Sequence, residues 1–121
     1  MRDDVLTEKS IDFATRVMKL YSFLIDKKEF TVSKQIVRSG TSIGANINEA
    51  NYAQSSADFI SKLHIALKEC AETEYWIKLL FRAEYISDSQ KDSLLSDCLE
   101  IKKILVASIN TAKKNNPETQ V

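Results

Sequence analysis

Gly40 and Gly44 stand four residues apart inside a stretch, residues 35–50, whose apolar spacing is otherwise that of a helix. Ile36, Gly40, Ile43, Ile47 and Ala50 recur at 4-3-4-3 intervals, so they share one face of a helix turning by about 100° per residue. Arg38, Ser42 and Glu49 fall roughly opposite that face. A glycine inside a helix costs roughly 1 kcal/mol relative to alanine, so two of them one turn apart point to a packing requirement. The simplest one is a second helix crossing closely over Gly40 and Gly44. These are the two glycines of the whole chain, which has one proline. Such scarcity favours long helices over a β fold, whose corners need both residue types.

Along the chain, residues 1–9 are polar and are expected to fray. From about Ser10 the pattern turns helical, with Phe13, Val17, Leu20 and Leu24 in one stripe and Ala14, Met18, Tyr21 and Ile25 beside it. Thr31 or Ser33 is the expected N-cap of the next helix, which carries the two glycines and runs to about Ala53. Ser55 with Asp58, and Ser87 with Gln90, have the spacing of capping boxes. Between them Phe59, Leu63, Ala66, Cys70, Thr73, Ile77 and Leu80 hold a bundle-like 4-3 repeat. A second face of the same helix carries Ile65, Trp76 and Leu79 among Glu69 and Glu72. In the last helix Leu94, Cys98, Ile101, Leu105 and Ala112 form the core stripe, and Leu95, Leu99 and Val106 an adjacent one. The segmentation is therefore one domain over residues 1–121, with helices at about 10–27, 32–53, 56–83 and 88–113 and a disordered C-terminal tail. The fold class is all-α, an antiparallel up-and-down four-helix bundle. Apolar second faces on the third and fourth helices exceed what one bundle buries, so the chain is expected to self-associate.

Most catalytic chemistry lacks its residues here. Di-iron bundles need two Glu-x-x-His pairs, whereas the sole histidine, His64, follows Ser61 at that spacing. His64 reads as a surface residue, and it is the only ordinary base available to Cys70, Cys98 or a serine. No Gly-Lys-Ser/Thr follows the glycines, so no phosphate-cradling loop is present. The expectation is no enzyme, no catalytic residue, no metal and no cofactor. Cys70 and Cys98 read as reduced core thiols of a cytoplasmic protein. The N-terminus does not resemble a signal peptide, and no apolar run approaches membrane-spanning length.

Two groups of side chains are candidates for binding. Arg38, Asn46, Glu49, Ile65, Glu69, Glu72, Trp76 and Leu79 could form a polar network between helices or subunits, with Arg38 as the partner of Glu72. The competing reading is a ligand-contacting patch or a solvated face. Arg16, Lys19, Lys34, Lys102, Lys103, Lys113 and Lys114 could form a nucleic-acid patch if the first and last helices are adjacent. Repetition around an oligomer would multiply its weak phosphate affinity. The opposing fact is balance: Lys+Arg and Asp+Glu both number 17, and the net charge is zero.

The stretch from Arg38-Ser39-Gly40 through Asn46-Ile47-Asn48-Glu49-Ala50 resembles a signature of the bacterial four-helix proteins named from intervening sequences of 23S ribosomal RNA genes. So does the stretch from Asp58 to Trp76, which contains Ile65-Ala66 and Glu72. Many members have glycine where this chain has Ala50. The resemblance runs from about Ile11 to Ile109 and is most specific over residues 35–80. It implies a small cytoplasmic bundle in a ring-like homo-oligomer, a pentamer, with no established enzymatic activity. The family also looks related to an accessory protein of diversity-generating retroelements, a basic pentameric barrel that binds nucleic acid and a reverse transcriptase. The leading expectation is thus a non-enzymatic oligomeric scaffold associated with RNA. One alternative is a protein-partner adaptor without nucleic-acid contact. Another is an enzyme or small-ligand carrier using Arg38, Glu69 and Glu72 at a subunit interface.

Overall fold

A computed structural model describes residues 2–115, which fold as four helices without a strand. They are α1 (Arg2–Asp26), α2 (Val32–Ala50), α3 (Ser56–Arg82) and α4 (Asp88–Lys114). Helix α1 begins at Arg2, where the sequence suggested fraying up to residue 9. The reason is burial: Leu6 and Ser10 are 2% and 1% exposed, so the first turns are held against the core. The expected disordered tail lies outside the described residues, apart from the end of α4 and Asn115.

Helix α2 packs between α1 and α3, and α4 between α3 and α1. Residue numbers run in opposite senses across each seam. Gly40 meets Val17 and Gly44 meets Ser10 on α1, while Ser39 meets Thr73 and Glu49 meets Lys62 on α3. Lys102 reaches Glu74 and Lys91 covers the Phe81 ring across α3 and α4. Arg16 meets Asp97 and Lys9 meets Glu100 across α1 and α4. The helix that crosses the two glycines is therefore α1.

The core is one apolar cluster drawn from all four helices. On α2 the buried face contains Ile36, Gly40, Ile43, Ile47 and Ala50, the face expected from their spacing. On α3 the buried row is Ile60, Leu63, Ala66, Cys70, Thr73, Ile77 and Leu80. Phe59, expected to start that row, is half-buried instead, one residue off the seam. Thr73 is tolerated in the core because its hydroxyl lies 2.8 Å from Ser39 Oγ and 2.8 Å from the Glu69 carbonyl oxygen. On α1 the second row is only partly covered within this chain: Ala14, Tyr21 and Ile25 are half-buried, and Met18 is 58% exposed.

The helix ends show where local chemistry took over. Both α1 and α3 finish in Schellman turns. Glu29 N donates to the Leu24 carbonyl and Tyr85 N to that of Leu80, with Lys28 and Glu84 in the left-handed region at φ 64° and 68°. Thr31 occupies the N-cap of α2 without a side-chain cap bond. Glu29 supplies the acceptors: its carboxylate takes hydrogen bonds from the backbone N–H of Thr31, Val32 and Ser33 at 3.1, 3.0 and 2.6 Å. One residue thus closes α1 and opens α2. Helix α2 stops at Ala50, three residues before the expected end, and Asn51 Nδ2 ties the loop to Thr7 Oγ1 at 3.4 Å. Ser55 caps α3 by accepting from Asp58 N, but the Asp58 carboxylate accepts from Gln54 N, so half of the expected box is displaced by one residue. The Ser87–Gln90 capping box is complete.

Candidate functional site

The outward seam between α2 and α3 collects most of the first group of candidate residues. Arg38 stands one turn before Ser42, whose hydroxyl donates to the Arg38 carbonyl at 2.6 Å. Asn46 Nδ2 then donates to the Ser42 carbonyl at 2.8 Å, so its side chain lies along its own helix. From α2 the Arg38 guanidinium reaches across to α3, with Nη2 donating to Glu72 Oε2 and Nη1 to Glu69 Oε1 at 3.5 Å. Trp76 Nε1 donates to the same Glu72 Oε2 at 3.0 Å. Further along, Lys62 Nζ pairs with Glu49 at 2.9 Å.

Glu72 is the hub of this network because one carboxylate accepts from two helices at once. The Arg38 guanidinium, then the Trp76 indole, hold its carboxyl below its ordinary value against a smaller opposing effect of burial. Glu72 in turn raises Arg38 above its already high value. Both shifts favour the charged pair. The Arg38 side chain is 49% exposed, so the pair is solvent-screened and contributes little to stability by itself. What it does is fix the ring of Trp76 and the register of α2 on α3. Ile65 is 38% exposed beside it, and Leu79 is half-buried.

The basic group is dispersed. Arg16 Nη1 pairs with Asp97 at 2.9 Å, and Lys102 Nζ with Glu74 at 3.0 Å. Helices α1 and α4 are adjacent, but their seam is built from ion pairs of mixed sign. Lys19 lines a small hollow with Arg16, Phe23 and Leu94. Lys34 is exposed on α2, which packs against α1 and α3, away from α4. Lys103 lines a shallow depression with Ile104, Ala107 and Thr111 on α4. Lys113 and Lys114 close the last turn of that helix, where cations suit the exposed carbonyls.

A feature the sequence reading missed lies between α3 and α4. Tyr75, Lys78, Leu79, Phe81, Arg82, Lys91 and Leu95 line a groove of about 530 Å³. Tyr75, Lys78 and Arg82 follow a 3-4 spacing, which places them on one face of α3 but does not show the α4 wall opposite. Among the described residues no group of His, Cys, Asp and Glu could hold a metal ion. No helix there is long and apolar enough to cross a membrane. His64 is exposed, and both cysteines are buried and free.

The model of the family described as 23S rRNA-intervening sequence protein matches residues 2–107. A crystal structure at 1.70 Å from Bacteroides thetaiotaomicron VPI-5482, described as a protein of unknown function from the S23 ribosomal protein family, superposes with a TM-score of 0.89. That chain is 58% identical, and the match covers 91% of the present chain and 99% of the other. No curated protein matches. With a family model spanning nearly all of its four helices, this chain belongs to the 23S rRNA-intervening sequence proteins.

Proposed function

We propose that this chain is a non-enzymatic scaffold, an antiparallel up-and-down bundle that assembles with copies of itself in the cytoplasm. The observation that carries the reading is apolar surface left open on α3 and α4: Tyr75, Leu99 and Val106 are 57%, 46% and 44% exposed. Leu95, Leu99, Lys102 and Val106 share a face at 4-3-4 spacing, and the Lys102–Glu74 pair turns that face toward α3. Large apolar side chains that share a helix face and remain exposed are the mark of an interaction surface rather than of scattered surface residues. The opposite-running seams support the bundle topology, and the two free buried thiols fit a reducing compartment. The proposed assembly is a ring of five subunits, the number that the family resemblance implies.

Chemistry is disfavoured by the side chains themselves. Burial pushes the Cys70 thiol up to about 12, so it is a poor nucleophile. The Glu72 carboxylate is committed to Arg38 and Trp76 and is held ionised, the opposite of a carboxylic acid poised to deliver a proton.

The family description names 23S rRNA, and an RNA-associated scaffold is the fuller form of this reading. Within the basic group, Lys103 is an exposed side chain on α4 that could carry it, whereas Arg16 and Lys102 already meet carboxylates. The test is gel filtration with light scattering, with and without a structured 23S rRNA fragment at two salt concentrations. A multimer that co-elutes with RNA at low salt and loses it at high salt supports the fuller form, and Lys103→Glu should then weaken it. A multimer indifferent to RNA at low salt leaves a protein-only adaptor. A clean monomer contradicts the scaffold.

A further inference from the structure

The groove between α3 and α4 has chemistry as well as shape. Leu79, Phe81 and Leu95 give it an apolar floor, and Tyr75 stands over it. Its rim is cationic, and no carboxylate lines it. Lys91 is neutralised by Asp88 and Asp92 at 2.8 and 3.4 Å. Lys78 and Arg82 are exposed and meet no carboxylate among the described residues. They sit four residues apart, one turn, so their stems are about 6 Å apart along the helix.

The same chain carries the matching surface elsewhere. Leu6, Phe13, Val17 and Leu24 bury one side of α1, which leaves Glu8, Ile11, Asp12, Thr15 and Met18 pointing outward. Ile11 and Met18 are 52% and 58% exposed, large values for aliphatic side chains. Glu8 and Asp12 are exposed and have no cationic partner among the described residues. They too are four residues apart, so their carboxylates repeat at the same pitch of about 6 Å.

We propose that the outward stripe of α1 on one subunit seats in the α3/α4 groove of the next, with Glu8 and Asp12 against Lys78 and Arg82 and with Ile11 and Met18 on the Leu79/Leu95 floor. This rests on the self-association reading above and specifies how it is achieved. Helix α1 packs against α2 and α4, so its outer stripe and the α3/α4 groove are separate surfaces of one subunit. A contact between two different surfaces is heterologous: each copy offers one of each, and the chain of contacts ends only by closing into a ring. Opposite charges at matched pitch set the register, and the apolar pairs give the contact its strength. A single-stranded nucleic acid, with phosphates on Lys78 and Arg82 and bases on Tyr75, is the competing occupant. Two aliphatic floor residues and an acidic stripe on the same chain favour a second copy over it.

The experiment uses four full-length proteins measured by light scattering at low salt, with helicity checked by circular dichroism. They are the wild type, Glu8→Lys/Asp12→Lys, Lys78→Glu/Arg82→Glu, and the chain carrying all four reversals. The expected result is a wild-type multimer, a fall to 13.7 kDa for each two-site reversal, and recovery of the multimer in the four-site chain. Mixing the two two-site proteins should restore contacts between unlike copies, and hence species heavier than 13.7 kDa, because each provides the charge that the other lacks; an odd-membered ring cannot alternate them throughout, so the wild-type mass is not expected from the mixture. All the altered side chains are exposed, and recovery on mixing shows that both proteins remain folded. A wild-type multimer that persists in both two-site reversals overturns this interface and leaves self-association standing. So does a Lys78→Glu/Arg82→Glu protein that keeps its mass but loses binding to a single-stranded RNA oligomer. A monomeric wild type overturns the self-association reading, and this interface with it.

Discussion

Gly40 on α2 and Val17 on α1 approach so closely that no side chain fits between them: a Cβ at Gly40 would lie 2.9 Å from both Val17 γ-carbons. Valine is stiff about χ1, so it cannot swing aside. Alanine at 40 would gain roughly 1 kcal/mol of helix propensity but incur an overpacking penalty of about 1–3 kcal/mol. The net expectation for Gly40→Ala is a loss of stability, measured by urea unfolding, that is relieved when Val17→Ala is added. Gly44→Ala should be milder, because its Cβ would meet the Ser10 hydroxyl oxygen at 3.1 Å rather than two methyl groups. Equal losses at the two glycines would contradict this account of the crossing.

Glu29 gives a pH dependence of definite sign. Burial acts to raise its carboxyl, but the amides of Val32, Ser33 and Thr31 outweigh it and hold the group below the ordinary 4.5. A depressed folded value means that the stabilisation is complete above the ordinary carboxylate range. It disappears as pH falls through the lowered value. Glu29→Gln should therefore cost about 1 kcal/mol at pH 7, in the range of lost helix caps. Its unfolding curve should approach that of the wild type as pH falls through the lowered value, where Glu29 itself becomes protonated.

Lys28 and Glu84 hold the left-handed positions that glycine usually fills after a helix. Side chains with a Cβ pay roughly 1–2 kcal/mol there. Lys28→Gly and Glu84→Gly should each raise the thermal midpoint by a few degrees, corresponding to about 1 kcal/mol, and should add when combined. Calorimetry of the two single variants and the double variant checks this.

Cys70 and Cys98 should be silent in the folded protein. Burial, and then the Glu74 carboxylate, push the Cys70 thiol up to about 12; burial pushes Cys98 up as well. Neither should react with a thiol reagent at pH 8 in native buffer, and both should react at once in guanidinium. Reaction of either at native conditions on the mixing timescale would mean that the α3/α4 contact opens far more readily than its burial implies.

Much of this fold was legible because its helices are long and their apolar spacing regular. The α2 face from Ile36 to Ala50 and the α3 row from Leu63 to Leu80 needed no information beyond the helical period. Pairing of Arg38 with Glu72 was also readable, since a cation and a carboxylate on facing second faces find each other. What escaped depends on tertiary contact. Leu6, beside an exposed Val5, is the one core apolar residue in an otherwise polar stretch, too sparse to announce that α1 starts at Arg2. Glu29 caps α2 from two residues before Thr31, outside the usual capping spacing. The α3/α4 groove is assembled from side chains of two helices, and no single-helix pattern contains it. Likewise the neutralisation of Arg16 and Lys102 was invisible until α1, α3 and α4 were placed side by side.

The central claim is that the apolar faces left open on one bundle are covered by further copies of it. Native mass spectrometry of the wild-type chain alone, sprayed at micromolar concentration, tests this most directly. The account predicts a single dominant species at an integer multiple of 13.7 kDa, unchanged over tenfold dilution. A dominant species at 13.7 kDa itself would contradict it.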